Sequence, residues 1–353
     1  MGLRSHYVEG LTQLGSPKNQ NFISNAGFVV APQGVVVIDA LGSPALARRL
    51  VQKIGEITPK PITHVIVTHY HADHIYGLQV FKELGAQIVA QQDARTYLNS
   101  DTAAQRLVAS RSELAPWVDD KTRLVPADRW LTDSTTLELA GMRFVVERVG
   151  PSHTPEDLAI HVPGERVLFA GDLMFAGRLP FVGQADSNQW IQSLDRLLRF
   201  DVAVVVPGHG AASTEPRKDM VVMRDYLTHL RSTMGQAAKD LVPFDEAYIA
   251  TDWSRFEPMP MFRFANRMNA YNTYLLLTRN FPIFYPNRRT GHPSLRDLVD
   301  NYCEQLYPGR LNHDTMVLDF GEGANCLKSN ITPITNDKRG DTDIDFFAQC
   351  NPE

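Results

Sequence analysis

Three imidazoles and a carboxylate fall within six residues at His69-Tyr70-His71-Ala72-Asp73-His74, directly after Thr68 and the apolar run Val65-Ile66-Val67. Imidazole nitrogen and carboxylate oxygen are the donors of zinc sites, and manganese or iron can occupy similar sets. Neighbouring side chains on a strand or tight turn diverge, so donors this close in sequence cannot all aim at one ion. The spacing therefore asks for two metals.

Three later segments share one form, an apolar strand-like run ending in a small-residue turn with a candidate donor. Phe144-Val145-Val146 leads through Gly150-Pro151-Ser152 to His153, Val167-Leu168-Phe169 leads through Ala170-Gly171 to Asp172, and the run 202–206 leads through Pro207-Gly208 to His209. Each donor is expected at a strand end, and the ends are expected to converge on one edge.

Taken in order, His69, His71, Asp73, His74, His153, Asp172 and His209 resemble the ligand series of the metallo-β-lactamase-fold hydrolase superfamily. The resemblance extends over roughly the first 280 residues, and seven positions filled in register are far more specific than a single motif. It implies an α/β fold, an αββα sandwich of two packed sheets with helices outside, and a dinuclear site at one edge. One metal would take His69, His71 and His153, the other Asp73, His74 and His209, and Asp172 would bridge them. Class B1 β-lactamases carry cysteine at the bridging position, whereas this chain has no cysteine before Cys303. Aspartate there resembles the glyoxalase II, lactonase and general hydrolase branches, including zinc metallohydrolases linked to sulfur oxidation and quinoprotein systems.

The resemblance implies an enzyme. Two zinc ions would lower the pKa of a bound water to about 7, and the hydroxide would attack a carbonyl carbon. Asp73 and His209 are the expected catalytic residues, Asp73 orienting the hydroxide or moving a proton. Asp39, closing Val35-Val36-Val37-Ile38, is placed to accept a ligand imidazole's second N–H. Thr68 and Asp157 are further supporting candidates. The apolar stretch 173–181 reads as a loop lining a pocket, with Phe175, Arg178 and Phe181 as candidate substrate contacts, and Tyr70 and Tyr76 are candidates by proximity. The expected substrates are thioesters, lactones and other esters, with β-lactams as a side activity. Two other chemistries use a related scaffold: a mononuclear iron persulfide dioxygenase, and a phosphodiesterase or nuclease.

These donors need a scaffold. Strands are expected over 22–31 and 34–41 around the turn Pro32-Gln33, a helix over 44–57, a strand over 64–67, and a helix over 75–84 ending at Gly85. Residues 92–125 read as helical and polar, covering the site as a lid or a strut. Helices are expected over 218–241 and 261–277. Beyond about residue 279 Pro, Asn, Asp and Gly become frequent and all three cysteines appear. We therefore expect a hydrolase domain over 1–278 and an extension over 279–353, with one helix at 293–307.

A chain of 353 residues with 43% hydrophobic content can bury a large core. Its net charge of −5, with basic residues only in scattered pairs, argues against nucleic acid as a partner. No apolar run approaches the ~18–20 residues of a membrane span, and the first residues lack the core of a secretory signal. The expectation is a small-molecule enzyme of the cytoplasm, or of the periplasm if a signal was removed. Oligomeric state is left open.

Overall fold

The structure is a computed structural model describing residues 4–183 and 185–278, together with the backbone of Leu311–Asn312 and Val317–Leu318. The chain divides into two units, Met1–Asn280 and Phe281–Glu353.

In the first unit β1 (Ser5–Val8), β2 (Ala26–Ala31), β3 (Gly34–Ile38), β4 (Ile62–Ile66), β5 (Gln87–Gln91) and β6 (Arg129–Leu131) form a sheet in sequence order. The first three strands pair antiparallel, and β3 to β6 pair parallel. Helices α1 (Pro44–Ile57), α2 (Ala72–Ile75), α3 (Leu78–Glu83), α4 (Ala94–Leu98) and α5 (Asp101–Glu113) fall between these strands. The second sheet runs β11-β10-β9-β8-β7, built from β7 (Thr135–Leu139), β8 (Met142–Arg148), β9 (Leu158–Val162), β10 (Val167–Phe175) and β11 (Val204–His209). Helix α6 (Ser187–Leu197) precedes β11, and α7 (Pro216–Lys239), α8 (Phe244–Ala250) and α9 (Phe262–Thr278) follow it. In the second unit β12 (Leu311–Asn312) pairs antiparallel with β13 (Val317–Leu318). The helix expected at 293–307 lies outside the described residues.

The valine run of β3 shows why the sheets stack. Val35 and Val37 pack with Leu46, Leu50, Ile54 and Phe81 of α1 and α3, while Val36 and Ile38 pack with Phe144, Val146, Ile160 and Phe169 of the opposite sheet. Alternate side chains of a strand point to opposite faces, so a strand buried on both faces reads as an unbroken apolar run. A third cluster joins the outer face of the second sheet to Trp190 and Leu194 of α6 and to Met220, Met223 and Leu230 of α7. The order of layers is helix, sheet, sheet, helix, as the αββα expectation requires.

Helix α1 starts where its local signals place it: Ser43 Oγ accepts the Leu46 N–H, and Pro44 occupies the first turn. The helix expected over 75–84 is shorter, α3 over Leu78–Glu83, and the separate α2 ends at Ile75 before it. Between them Gly77 passes close to the segment after β3, where a Cβ would sit 2.0 Å from the Ala40 carbonyl oxygen. Asp172 also departs from expectation, because β10 continues through it to Phe175 and the apolar loop begins only at Ala176. The pairing of β10 with β11 shifts register on both sides of Gly171, which has φ +52°, and these bulges let the strand continue while turning Asp172 toward the edge. No helix among the described residues is long and apolar enough to cross a membrane.

Candidate metal centre

The carboxyl ends of β4, β10 and β11 and the loop between β8 and β9 bring all seven expected donors to one edge. His69, His71, His153 and Asp172 form one cluster of ligand atoms and Asp73, His74 and His209 a second, the atoms of each lying within 4.8 Å of one another. Asp172 faces both: its Oδ1 is 3.2 Å from His74 Nε2, and its Oδ2 is 3.3 Å from His153 Nε2 and from His209 Nε2. Asp73 Oδ2 lies 3.3 Å from His209 Nε2 and 3.7 Å from His74 Nε2, and His71 Nδ1 lies 3.0 Å from His153 Nε2. Two donors on a tetrahedral ion, each about 2.0–2.1 Å from it, are separated by roughly 3.3 Å. The spacings therefore fit donors grouped around cations.

Hydrogen bonding gives a second test of that fit. Among the described residues His69 Nε2, His74 Nε2 and Asp172 Oδ1 are buried and have no hydrogen-bond partner. Three such atoms gathered at one edge, each belonging to a donor of the cluster, suit an ion that would satisfy them together. The opposite ring nitrogens are held. Asp39 Oδ2 accepts from His74 Nδ1 at 2.9 Å, and His209 Nδ1 donates to the Ile23 carbonyl at 2.6 Å. The Thr68 hydroxyl donates to Asp39 Oδ2 at 2.8 Å, so at its 3.0 Å contact with His69 Nδ1 the imidazole N–H donates. In all three rings Nδ1 carries the proton and Nε2 is left as a metal donor.

The backbone is shaped for this approach. Asp39 adopts φ +62°, a left-handed conformation uncommon for a side-chain-bearing residue, and from it accepts the Thr68 N–H at 2.8 Å. Gly208 admits no other residue, since a Cβ would stand 1.9 Å from Asp172 Oδ1. Asp157 does not accept from a ligand imidazole. Its carboxylate takes the Thr154 N–H at 2.8 Å and the Thr154 hydroxyl at 2.7 Å, closing the turn that carries His153.

Charge is strongly coupled across the cluster. Burial lowers His69 and His71, and it takes His153 down to about 3. Burial also works to lower His74 and His209, but the Asp172 and Asp73 carboxylates outweigh it, raising His74 and bringing His209 to about 9. Against its own burial, Asp172 is held well below the usual carboxylate range by His209 and His74. Burial raises Asp157.

The expected substrate contacts divide. Tyr70 Oη donates to the Val125 carbonyl at 3.3 Å and Tyr76 Oη meets Ser110 Oγ at 3.1 Å, both inside the core of the first sheet, so neither hydroxyl is offered to a substrate. Sequence proximity misleads here because side chains on either side of a ligand point away from it. Phe175 stacks flat on the His209 ring at 4.9 Å and backs that donor. Arg178 is 2% exposed, its guanidinium 5.7 Å from the Phe175 ring and 5.9 Å from Phe181. Among the described residues its Nη1 has no hydrogen-bond partner; burial lowers the guanidinium's pKa, and the Asp172 and Asp73 carboxylates work against that.

Several supporting residues carried no signal in the sequence. Trp190 donates to the Leu173 carbonyl and meets the His153 ring edge-to-face at 5.2 Å, and Glu156 accepts the Tyr70 N–H. The Ser24 hydroxyl donates to the Asp73 carbonyl. Only the fold brings them to the site.

Residues 20–209 match the metallo-beta-lactamase superfamily. The chain belongs to that superfamily. A linear primary-alkylsulfatase from Pseudomonas sp. is 26% identical over 232 residues, covering 56% of this chain and 43% of the relative. The type 2 metallo-beta-lactamase of Bacillus cereus is 26% identical over 204 residues, 56% of this chain and 72% of its own length. The chain thus spans less than half of the alkylsulfatase it matches. In three dimensions the stereoselective inverting sec-alkylsulfatase Pisa1 from Pseudomonas sp. has the same fold, with a TM-score of 0.63 at 18% identity over 86% of this chain and 53% of that one. The expected class, a metal-dependent hydrolase, agrees with the superfamily and with these relatives.

Proposed function

We propose that this chain is a dinuclear zinc hydrolase acting on a small carbonyl substrate, a thioester, a lactone or another ester. The observation that carries the reading is the shared position of Asp172, with one oxygen toward His74 and the other toward His153 and His209. His69, His71 and His153 would hold one cation and Asp73, His74 and His209 the other. Five imidazoles with two carboxylates favour zinc, although manganese and iron accept similar donors. Bound there, the two cations supply an acidic water and a Lewis acid for the carbonyl oxygen.

The chain's own groups supply position and proton transfer. Asp73, with its side chain 17% exposed against 5% for Asp172, is the carboxylate open to an entering molecule, and we assign it the proton released at the attacking water. His209 Nε2, 3.3 Å from Asp73 Oδ2, would share the second cation with that carboxylate and so fix its direction. Arg178, buried with an unpaired nitrogen, is placed to orient an oxygen-bearing part of the substrate.

A sulfate ester is the second reading, favoured by Arg178 and by the match to a linear primary-alkylsulfatase. A mononuclear iron dioxygenase has no use for the second donor cluster of Asp73, His74 and His209, and the net charge of −5 weighs against a nuclease. The test is elemental analysis of protein purified without added metal, with initial rates on a thioester, a lactone, a chromogenic cephalosporin and p-nitrophenyl sulfate. About two zinc ions per chain with turnover of an ester supports the proposal. A single iron with oxygen uptake on glutathione persulfide overturns it, and turnover of the sulfate alone selects the second reading.

A further inference from the structure

The loop from Ala176 to Gly183 follows the strand that delivers Asp172, and it carries Arg178. Ala176, Arg178, Leu179 and Val182 are buried, so the loop's peptide groups need partners inside the protein. Three of these bonds come from the helical layer after β11. Leu179 N–H donates to the Pro260 carbonyl at 3.0 Å, Val182 N–H donates to Asn269 Oδ1 at 2.9 Å, and Asn269 Nδ2 donates to the Pro180 carbonyl at 2.7 Å. One side-chain amide on α9 thus pairs with a C=O and an N–H two residues apart, as a neighbouring strand would.

The amide is itself fixed from behind. Asn269 Nδ2 also donates to Tyr226 Oη at 3.0 Å, and Tyr226 Oη donates to Asn266 Oδ1 at 2.9 Å. Asn266 and Asn269 are fully buried and Tyr226 nearly so. Arg178, by contrast, makes one hydrogen bond among the described residues, a 3.5 Å contact from Nε to the Leu179 carbonyl of the same loop. Gly177 at φ +65° and Gly183 at φ +54° flank the segment, and a Cβ at either would meet nothing within 4 Å. The bonds to 260 and 269 hold the loop between these turns.

We propose that Asn269 is a positioning residue that fixes Arg178 beside Phe175, the ring that stacks on His209, so that a helix outside the superfamily match sets which substrates the centre accepts. The proposal rests on the hydrolase reading above. It is tested with Asn269→Leu in the full-length, metal-loaded chain, by hydrogen exchange, metal content and kinetics on the best substrate of the panel. Exchange across 176–183 is expected to quicken by about tenfold, with peptides covering His69 to His74 as in the wild type. Metal content is expected to stay at the wild-type value, and KM to rise about fivefold with kcat changing less than about twofold. Wild-type exchange in the loop, or kcat and metal content falling together at constant KM, would overturn it.

If Asn269→Leu does not fold, Asn269→Ser, whose side chain is too short to bridge the Pro180 carbonyl and the Val182 N–H, takes its place with the same expected changes in exchange and KM. Wild-type exchange across 176–183 in that variant likewise overturns the proposal. Failure of the hydrolase reading shows differently, as a wild-type chain that turns over nothing, and the exchange measurement still reads whether Asn269 pins the loop.

Discussion

Two buried polar clusters in this protein are built on opposite principles. At the sheet edge, among the described residues, His69, His74 and Asp172 each keep a buried atom without a hydrogen-bond partner. In the helical layer, Tyr226, Asn266, Asn269 and Tyr248 are joined by hydrogen bonds of 2.9 to 3.2 Å, and none of their polar atoms is left over. A closed network costs nothing further and holds a shape, whereas an open one is stable only if something enters to complete it. The difference separates a site that binds from a network that positions.

The contrast is broken most directly at the shared ligand. Asp172→Ala should remove metal from both clusters and lower turnover by more than about a hundredfold, beyond what changes to residues supporting the ligands produce. Elemental analysis with initial rates checks it, and near-normal metal content would mean that Asp172 does not bridge. Asp39→Asn probes the same cluster one step out. Losing the carboxylate that orients His74 and Thr68 should weaken metal affinity by roughly 10- to 100-fold in a chelator competition.

Stability against pH sharpens the comparison further. In the chelated protein His209 sits near 9, above its ordinary 6.5, so its stabilising contribution is complete below pH 6.5 and is lost as pH rises through 9. His153, down at about 3, contributes above pH 6.5 and loses that contribution as pH falls toward 3. Chelated protein should therefore melt highest near pH 6.5, and the gap to metal-loaded protein should widen from there to pH 9, because metal binding favours deprotonated imidazoles. Calorimetry of both forms reads this, and a constant gap would refute the coupling. The smallest effect belongs to Tyr70→Phe, which loses only the bond to the Val125 carbonyl. It should cost about 1 kcal/mol in urea unfolding with KM unchanged, and a raised KM would return Tyr70 to the substrate pocket.

Much of the site was legible because metal ligands are constrained in type, order and spacing together. His69 to His74, His153, Asp172 and His209 all arrive at one edge, and Asp39 proves to hold His74 as the valine run ending in a carboxylate suggested. Strand and helix placement followed from period and caps, as at β3 and α1. The failures have a common cause. Helix α3 starts only at Leu78, after a separate short α2 where the chain passes close to the Ala40 carbonyl, and β10 runs through Asp172 because β11 pairs beside it with two register shifts. Tyr70 and Tyr76 turned into the core because the fold offered their hydroxyls Val125 and Ser110.

By itself the sequence marked the candidate donors, since chemistry restricts which side chains bind cations, and it determined the layered α/β scaffold, since burial on both faces is written in strands such as Val35 to Ile38. The tertiary structure alone decided which partner each remaining group would find. Asn269 reaches Pro180 and Val182 across 89 and 87 residues of chain, and His209 reaches Ile23 across 186. Such contacts have no local pattern, because their geometry is fixed by packing between elements and not by the residues on either side.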